Sequence, residues 1–479
     1  MNWRWLLLIV VFALASCASV SPPQQTRGNH APNEFRALWI ATVANIDWPS
    51  KRGLSADQQR EEMRRIVTTA RRLKLNALVL QVRPSADAIY PSKLEPWTEY
   101  LSGIQGVASA TNYDPLAEWI ALAHSEGMEL HAWFNPYRAR HNTATSAPAA
   151  NHVSKTIPSL VKTYGTMQWM DPGEPDAARH TLAVITDVVR RYDIDGVHLD
   201  DYFYPYPIPA PIDPTVVGAA KPANAALPTI ATKGAPEPSR GAAPTTQLAL
   251  PSEAGADLGF PDEPSWQRYK NSGGKLTRAA WRRDNVNQLV RTLYREVHLV
   301  KPWVKVGISP FGLPKPDRRP EGITGFSQYD KLYADVELWF EQGWLDYLAP
   351  QLYWSIAQEA QAFPVLLRYW ASVNKQSRHL WPGLYTSRID DSDKSWLPDE
   401  IIRQIALLRG QSGATGHLHF SAAAIVQNRR GMADALVTST YLNEARVPDT
   451  PWLPSRPPIC FAPVSGSVES TPNSSVSPR

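Results

Sequence analysis

The sequence predicts an α/β fold, a closed (β/α)8 TIM barrel, on three observations. Short apolar runs alternate with amphipathic segments through residues 34–205 and 259–445, the pattern of repeated βα units. That length suits one barrel of roughly 250 residues with its loops. Polar and aromatic residues collect at the same end of nearly every apolar run. No glycine-rich phosphate loop follows the first run, which argues against a doubly wound sheet.

In chain order, strands are expected at Phe35–Thr42, Ala77–Arg83, Glu129–Asn135, Gly196–Tyr202, Val304–Pro310, Tyr347–Trp354, Leu380–Thr386 and Gly416–Ser421. The first intervening helix, Ser55–Lys74, has Ser55 as its N-cap and apolar positions at Met63, Ile66, Val67 and Ala70. The second, Asp114–Glu126, has Asp114 as cap, Pro115 in its first turn and Gly127 as terminator. Pro175–Tyr192, Thr277–Val300, Tyr329–Gln342, Phe363–Val373 and Pro398–Arg409 complete the alternation.

Three stretches fall outside this pattern. Residues 1–16 have the layout of a secretory signal, with Arg4 before an apolar core, Leu6–Ala13, that is too short for a permanent membrane span. They lead into Leu14-Ala15-Ser16-Cys17, which resembles a bacterial lipobox with Cys17 as the lipidated residue. Ala18 in place of Asp resembles lipoproteins sorted to the outer membrane, so the expectation is a lipoprotein facing the periplasm on a tether over residues 17–33, with an ordinary signal peptide that happens to contain a cysteine as the alternative. Residues 206–258, rich in Pro, Ala and Thr, read as a flexible insertion, and 446–479 as a disordered Pro/Ser tail.

Composition narrows the function. Lipidation of Cys17 would leave Cys460 alone, so no structural disulfide is expected, and a core this large can do without one. A net charge of +4 without a Lys/Arg block argues against nucleic acid as a partner. The 18 Trp outnumber the 11 Phe, which hints at a glycan cleft, because Trp and Tyr stack on sugar faces as readily as they fill cores.

A barrel of this type carries its active site at the C-terminal strand ends. Alternation along Gly196–Tyr202 turns Val197 and Leu199 towards the helices and His198, Asp200 and Tyr202 inwards, with Asp200 at the mouth. A carboxylate there can stabilise or capture the oxocarbenium-like state of glycoside hydrolysis. Asp200 also reads as a structural acceptor, and His198 as a satisfied interior histidine. Parity sends Asp201 outwards unless the strand end bulges; it is a candidate proton donor, a partner orienting Asp200, or a cap. Asp47 and Asp87 are further candidates for a second carboxylate, whereas Asp335 lies within an expected helix. Arg83 and Arg138 are candidates to orient a carboxylate or to bind an acidic sugar such as a muramic acid lactyl group, with a structural pairing to Asp87 as the alternative. Asn135 and Gln351 are polar binding candidates, and Trp48, Trp133, Tyr137, Tyr202, Tyr353 and Trp354 are candidates for sugar stacking or core. His198 with Asp200, and His417 with His419, are candidate metal ligands if they converge; a His-x-His at the first strand is missing, so no metal or other cofactor is expected.

Several long motifs carry a family resemblance: the run from Phe35 to Pro49, Gln81-Val82-Arg83-Pro84, and Trp133-Phe134-Asn135-Pro136-Tyr137-Arg138. Others are Asp195 to Phe203, Trp281 to Asn287, Gly307 to Gly312 and Asp346 to Trp354. Over about residues 34–430 the chain resembles the glycosyl hydrolase-like family 10 lipoproteins. The resemblance implies a TIM barrel over 34–445 and glycosidase activity. It also implies likeness to an enterobacterial divisome-localised lipoprotein that cleaves peptidoglycan glycan strands stripped of stem peptides. The insertion at 206–258 departs from that pattern. The expected function is therefore cleavage of peptidoglycan glycan at the periplasmic cell wall, with divisome proteins as possible partners. The alternatives are a catalytically silent glycan-binding scaffold and a hydrolase of another polysaccharide.

Overall fold

The computed structural model describes residues 32–210 and 257–457. Its main sheet is a ring of parallel strands: β1 (Phe35–Ile40), β2 (Ala77–Arg83), β3 (Glu129–Phe134), β7 (Gly196–Leu199), β8 (Lys305–Ile308), β9 (Tyr347–Leu348), β10 (His379–Leu380), β11 (Gly383–Leu384) and β12 (Gly416–His419). The last segments close it. β10 and β11 are two halves of the seventh barrel strand, split at Trp381-Pro382; β10 pairs with β9, and β11 pairs with β12, which pairs with β1. Trp381 N donates to Leu348 O and Pro382 O accepts from Leu418 N, so hydrogen bonding passes through the split. A small antiparallel sheet of β4 (Arg138–Arg140), β5 (Val161–Tyr164) and β6 (Met167–Met170) is inserted after β3.

Strand alternation divides the apolar residues into two layers. Phe35, Ala37, Trp39, Ala77, Val79, Trp133, Tyr347 and Leu418 face the barrel axis. Leu38, Ile40, Leu78, Leu80, Val197, Leu199, Val306 and Ile308 face the helices. Two glycines make room for the inner layer. A Cβ on Gly307 would lie 2.0 Å from the Tyr347 ring, and one on Gly196 2.5 Å from His131 Nδ1.

The helices start where local chemistry directs. Ser55 caps Ala56–Arg72 through a reciprocal bond with Gln58, Asp114 caps Pro115–Ser125, and Thr277 caps Arg278–Val300. Pro175–Arg191, Phe363–Ser372 and Pro398–Gly410 follow the expected spans. The single helix expected over Tyr329–Gln342 is instead two short ones, Gln328–Lys331 and Val336–Glu341. Tyr333 between them has φ of 56°, a left-handed conformation that no continuous helix accommodates. Asp335 stands at the N-terminus of the second.

Two boundaries also differ from expectation. Residues 446–457, assigned from sequence to a loose tail, run under the N-terminal strand ends: Arg446 N bonds Pro32 O, Trp452 Nε1 bonds Asp346, and Arg456 bonds Asp195. The expected insertion is ordered at both ends, with Pro209 bridged to Asp257 and Leu258 N bonded to Ile208 O. Cys17, residues 211–256 of the insertion and residues 458–479 of the tail lie outside the described residues.

Beneath the loops after β2, Arg83 is fully buried and grips Glu95 through both carboxylate oxygens, at 2.8 and 2.5 Å. Burial alone would raise the Glu95 pKa, but Arg83 and His180 hold it at about 2. Removing one partner of such a pair strands a buried charge. Glu95→Ala is therefore expected to lower unfolding stability by about 3–5 kcal/mol in urea titrations. A loss below about 1 kcal/mol would contradict this account of the pair.

Candidate active site

The C-terminal strand ends surround a cavity lined by Trp39, Gln81, Trp133, Arg138, Asp200 and Asp201, among others. Asp200 continues the inward parity of His198. Asp201 departs from its expected outward direction: β7 ends at Leu199 and the chain bends at Asp201, so the two consecutive carboxyl groups share one cavity. Both are buried, at 3% and 2% exposure.

Different supports hold the two carboxyl groups. Asp200 Oδ2 accepts from Trp133 Nε1 at 3.1 Å and from Asn135 Nδ2. Asn135 is itself oriented by Gln81, whose Nε2 donates to Asn135 Oδ1 at 2.5 Å, while Gln81 Oε1 accepts from the backbone N–H of Thr42 and Val43. Asp201 Oδ2 accepts from the Tyr206 hydroxyl, and Gln351, whose Nε2 donates to Ser309 O at 3.0 Å, lines the same cavity. Burial, helped by the neighbouring Asp201, pushes Asp200 up to about 7 against the pull of Arg138. Burial likewise pushes Asp201 up to about 6, opposed chiefly by the Tyr206 bond.

The remaining lining is aromatic with a few polar groups. Tyr202 lies under the Arg138 guanidinium, 4.4 Å from Cζ to ring centroid. Tyr353 stacks on Tyr385 and Phe420, at 4.9 and 5.7 Å between centroids. His141, held neutral by burial and then by Arg138 and Arg52 (pKa pushed down to about 3), stands at the rim. Below lies a neutral floor. His198 hydrogen-bonds with Tyr347 at 3.0 Å, with Ser309 at 3.2 Å and with Trp39 Nε1 at 3.2 Å. Burial drives its pKa far down, so it is a neutral supporting histidine and does not line the cavity.

Other expected site residues stand elsewhere. Asp47 accepts from Ala41 N, Ser421 Oγ and Ala423 N, tying β1 to the segment after β12. Trp48 is fully buried, set edge-on to Trp119 with Nε1 donating to Gln59 O. Arg83 pairs with Glu95, not with Asp87. Asp87 is buried and accepts from Ser85 N and Gln105 Nε2. Tyr137 belongs to the core beneath the helices, and Trp354 packs edge-on to Phe311 outside the cavity. These residues follow strand ends in sequence, but their loops turn them away from the mouth. His417 and His419 bond to Tyr441 on the opposite side of the sheet from His198, so the two histidine sets do not converge. Among the described residues, no group of three or more His, Cys, Asp or Glu side chains is arranged to hold a metal.

Sequence reasoning missed Trp39, Gln81, Ser309 and Phe420. Inward parity at their strand ends is the signal that marks them. Tyr206 and His141 stand on loops and carry no such signal.

Known proteins match this chain along most of its length. The glycosyl hydrolase-like 10 family matches residues 34–398. The glycosyl hydrolase YngK of Bacillus subtilis (strain 168) is 38% identical over 434 residues, covering 89% of this chain and 75% of that protein. The glycosyl hydrolase DigH of Escherichia coli (strain K12) is 29% identical over 423 residues, covering 81% of this chain and 84% of its own. Among solved structures, the PgaB (BpsB) glycoside hydrolase domain from Bordetella bronchiseptica superposes with a TM-score of 0.49 at 12% identity, covering 87% of this chain and 100% of that one. The chain belongs to the glycosyl hydrolase-like 10 family and is a glycoside hydrolase.

Proposed function

We propose that this glycoside hydrolase cleaves glycosidic bonds in peptidoglycan glycan strands free of stem peptides, with Asp200 and Asp201 as its acid–base pair. The observation that carries the reading is the pair itself: two buried carboxyl groups, pushed up to about 7 and about 6, at an aromatic-lined mouth. Near neutral pH these values leave a proton on Asp200 and a charge on Asp201. Both side-chain donors to Asp200 fall on Oδ2 and Oδ1 has only the long 3.5 Å contact from Tyr202 N, so Oδ1 carries the proton to the leaving oxygen. Asp201, steadied by the Tyr206 hydroxyl, stabilises the oxocarbenium-like state or activates water. Trp39, Trp133, Tyr202, Tyr353 and Phe420 offer rings for sugar faces.

The choice of polymer rests on the motif resemblance and on the lipobox at Cys17, which would hold the enzyme beside the wall and raise its local concentration there. No helix among the described residues is long and apolar enough to cross a membrane.

Three outcomes test the reading. Purified protein is expected to shorten peptide-stripped glycan strands, seen by mass spectrometry, and Asp200→Asn to do so on the order of 100- to 10,000-fold more slowly. Equal rates would remove Asp200 from the chemistry, and cleavage of other polysaccharides alone would refute the substrate. The pH profile of kcat/KM is expected to rise through about pH 6 as Asp201 ionises and to fall above about pH 7 as Asp200 loses its proton. Asp201→Asn should abolish the acid limb; a flat profile between pH 4 and 9 would exclude this pairing. Cys17→Ser is expected to move the protein from the membrane fraction to the soluble one, and unchanged fractionation would rule out the lipid anchor.

A further inference from the structure

The buried arginines among the described residues are Arg36, Arg83, Arg138 and Arg282. Three of them are neutralised by the protein itself. Arg36 Nε reaches Glu34 at 2.6 Å, Arg83 grips Glu95, and Arg282 meets both oxygens of Asp262 at 2.7 Å. Arg138 differs. It is 3% exposed, its Nε is buried without a hydrogen-bond partner, and no carboxylate oxygen of the described residues pairs with it within 4.0 Å. The nearby acids, Asp200 and Asp201, feel its charge without touching it.

A buried guanidinium with unmet donors is unfavourable unless a ligand supplies acceptors. Arg138 lines the cavity that holds Asp200 and Asp201, and the Tyr202 ring covers one of its faces. The in-plane N–H groups form a fork suited to two acceptor oxygens in one plane, the geometry of a carboxylate. The neutral ring of His141 beside it brings no competing charge.

We propose that Arg138 is the specificity-determining residue of this site and binds the free lactyl carboxylate of a muramyl sugar. This assignment rests on the substrate reading given above. A lactyl group that bears a stem peptide is a neutral amide, which offers one acceptor and no charge, so the same contact favours strands whose peptides have been removed. A hexuronic acid would present the same carboxylate chemistry from its ring.

Calorimetric titration of the intact protein separates these cases. The probes are the N-acetylglucosaminyl-N-acetylmuramic acid disaccharide, its lactyl methyl ester and a glucuronyl-N-acetylglucosamine disaccharide. The unmodified protein is expected to bind the free acid at least about tenfold more tightly than the ester. Arg138→Gln should bring the two within about twofold, and Arg138→Lys, which keeps the charge but not the fork, should retain part of the preference. Equal binding of acid and ester by the unmodified protein, binding of neither, or an undiminished preference in Arg138→Gln overturns the proposal. So does tighter binding of the glucuronyl probe. The acid-to-ester comparison decides the matter even if Arg138→Gln fails to fold. Discrimination without cleavage of glycan strands would refute the substrate reading while leaving Arg138 as a carboxylate anchor; cleavage without discrimination would do the reverse.

Discussion

The polarity of the site originates in two backbone N–H groups at the end of β1. Thr42 N and Val43 N can only donate, so Gln81 must turn Oε1 towards them, at 3.0 and 2.8 Å. Its Nε2 is then committed to Asn135 Oδ1, which leaves Asn135 Nδ2 to donate to Asp200 Oδ2. Four barrel strands are linked through this relay, and no member can reverse without facing donor against donor. One oxygen of Asp200 is thereby locked as an acceptor of two side-chain donors, while the other meets only the long 3.5 Å contact from Tyr202 N. A side-chain chain of this kind transmits strand register directly into the protonation geometry of the carboxyl group.

Below the relay, the barrel interior is filled by linked rings. His198, Tyr347 and His131 form a hydrogen-bonded stack, with Ser309 and Trp39 on His198. The stack fits because Gly196 and Gly307 leave space beside the rings. At the far end of the barrel Lys305 and Glu129 pair at 2.7 Å. At the mouth, Asp200, Asp201 and Arg138 line the cavity together. Burial dominates the upward shifts of both acids, and nearby Arg138 offsets it only in part.

Much of the barrel is legible in the sequence because period-two alternation and helix caps are local signals. β2 matches its expected span residue for residue, and Ser55, Asp114 and Thr277 cap the helices they precede. The inward set of β7 follows from Val197 and Leu199 facing the helices. Loop direction is not local. Trp48, Asp87 and Tyr137 each follow a strand end by a few residues, yet tertiary packing buries all three away from the mouth. Arg83 illustrates the same limit: its partner Glu95 is twelve positions away across a loop whose path no periodicity reveals. Tyr333 shows the converse, since an apolar helical pattern continues through a residue whose backbone turns left-handed.

The early end of β7 is the departure with the largest consequence. On a continued strand, Asp200 and Asp201 would point to opposite faces and only one could meet a substrate. The chain instead turns immediately after Leu199. Phe203 N bonds Asp201 O, and Trp169 Nε1 from the inserted sheet bonds Phe203 O, fixing the turn from outside the barrel. Phe203 packs edge-on to Trp339 and Tyr204 edge-on to Phe260, so these two side chains anchor the segment in the outer core. Tyr202 and Tyr206 are left on the cavity side, where Tyr206 reaches back to Asp201. A run of seven residues, Asp200 to Tyr206, thus supplies both carboxyl groups, the hydroxyl that steadies one of them and the ring beneath Arg138. Because Asp200 draws its support from Trp133 and Asn135 while Asp201 draws its own from Tyr206, two chemically identical neighbours acquire separate environments, which is the condition for dividing acid and base roles between them.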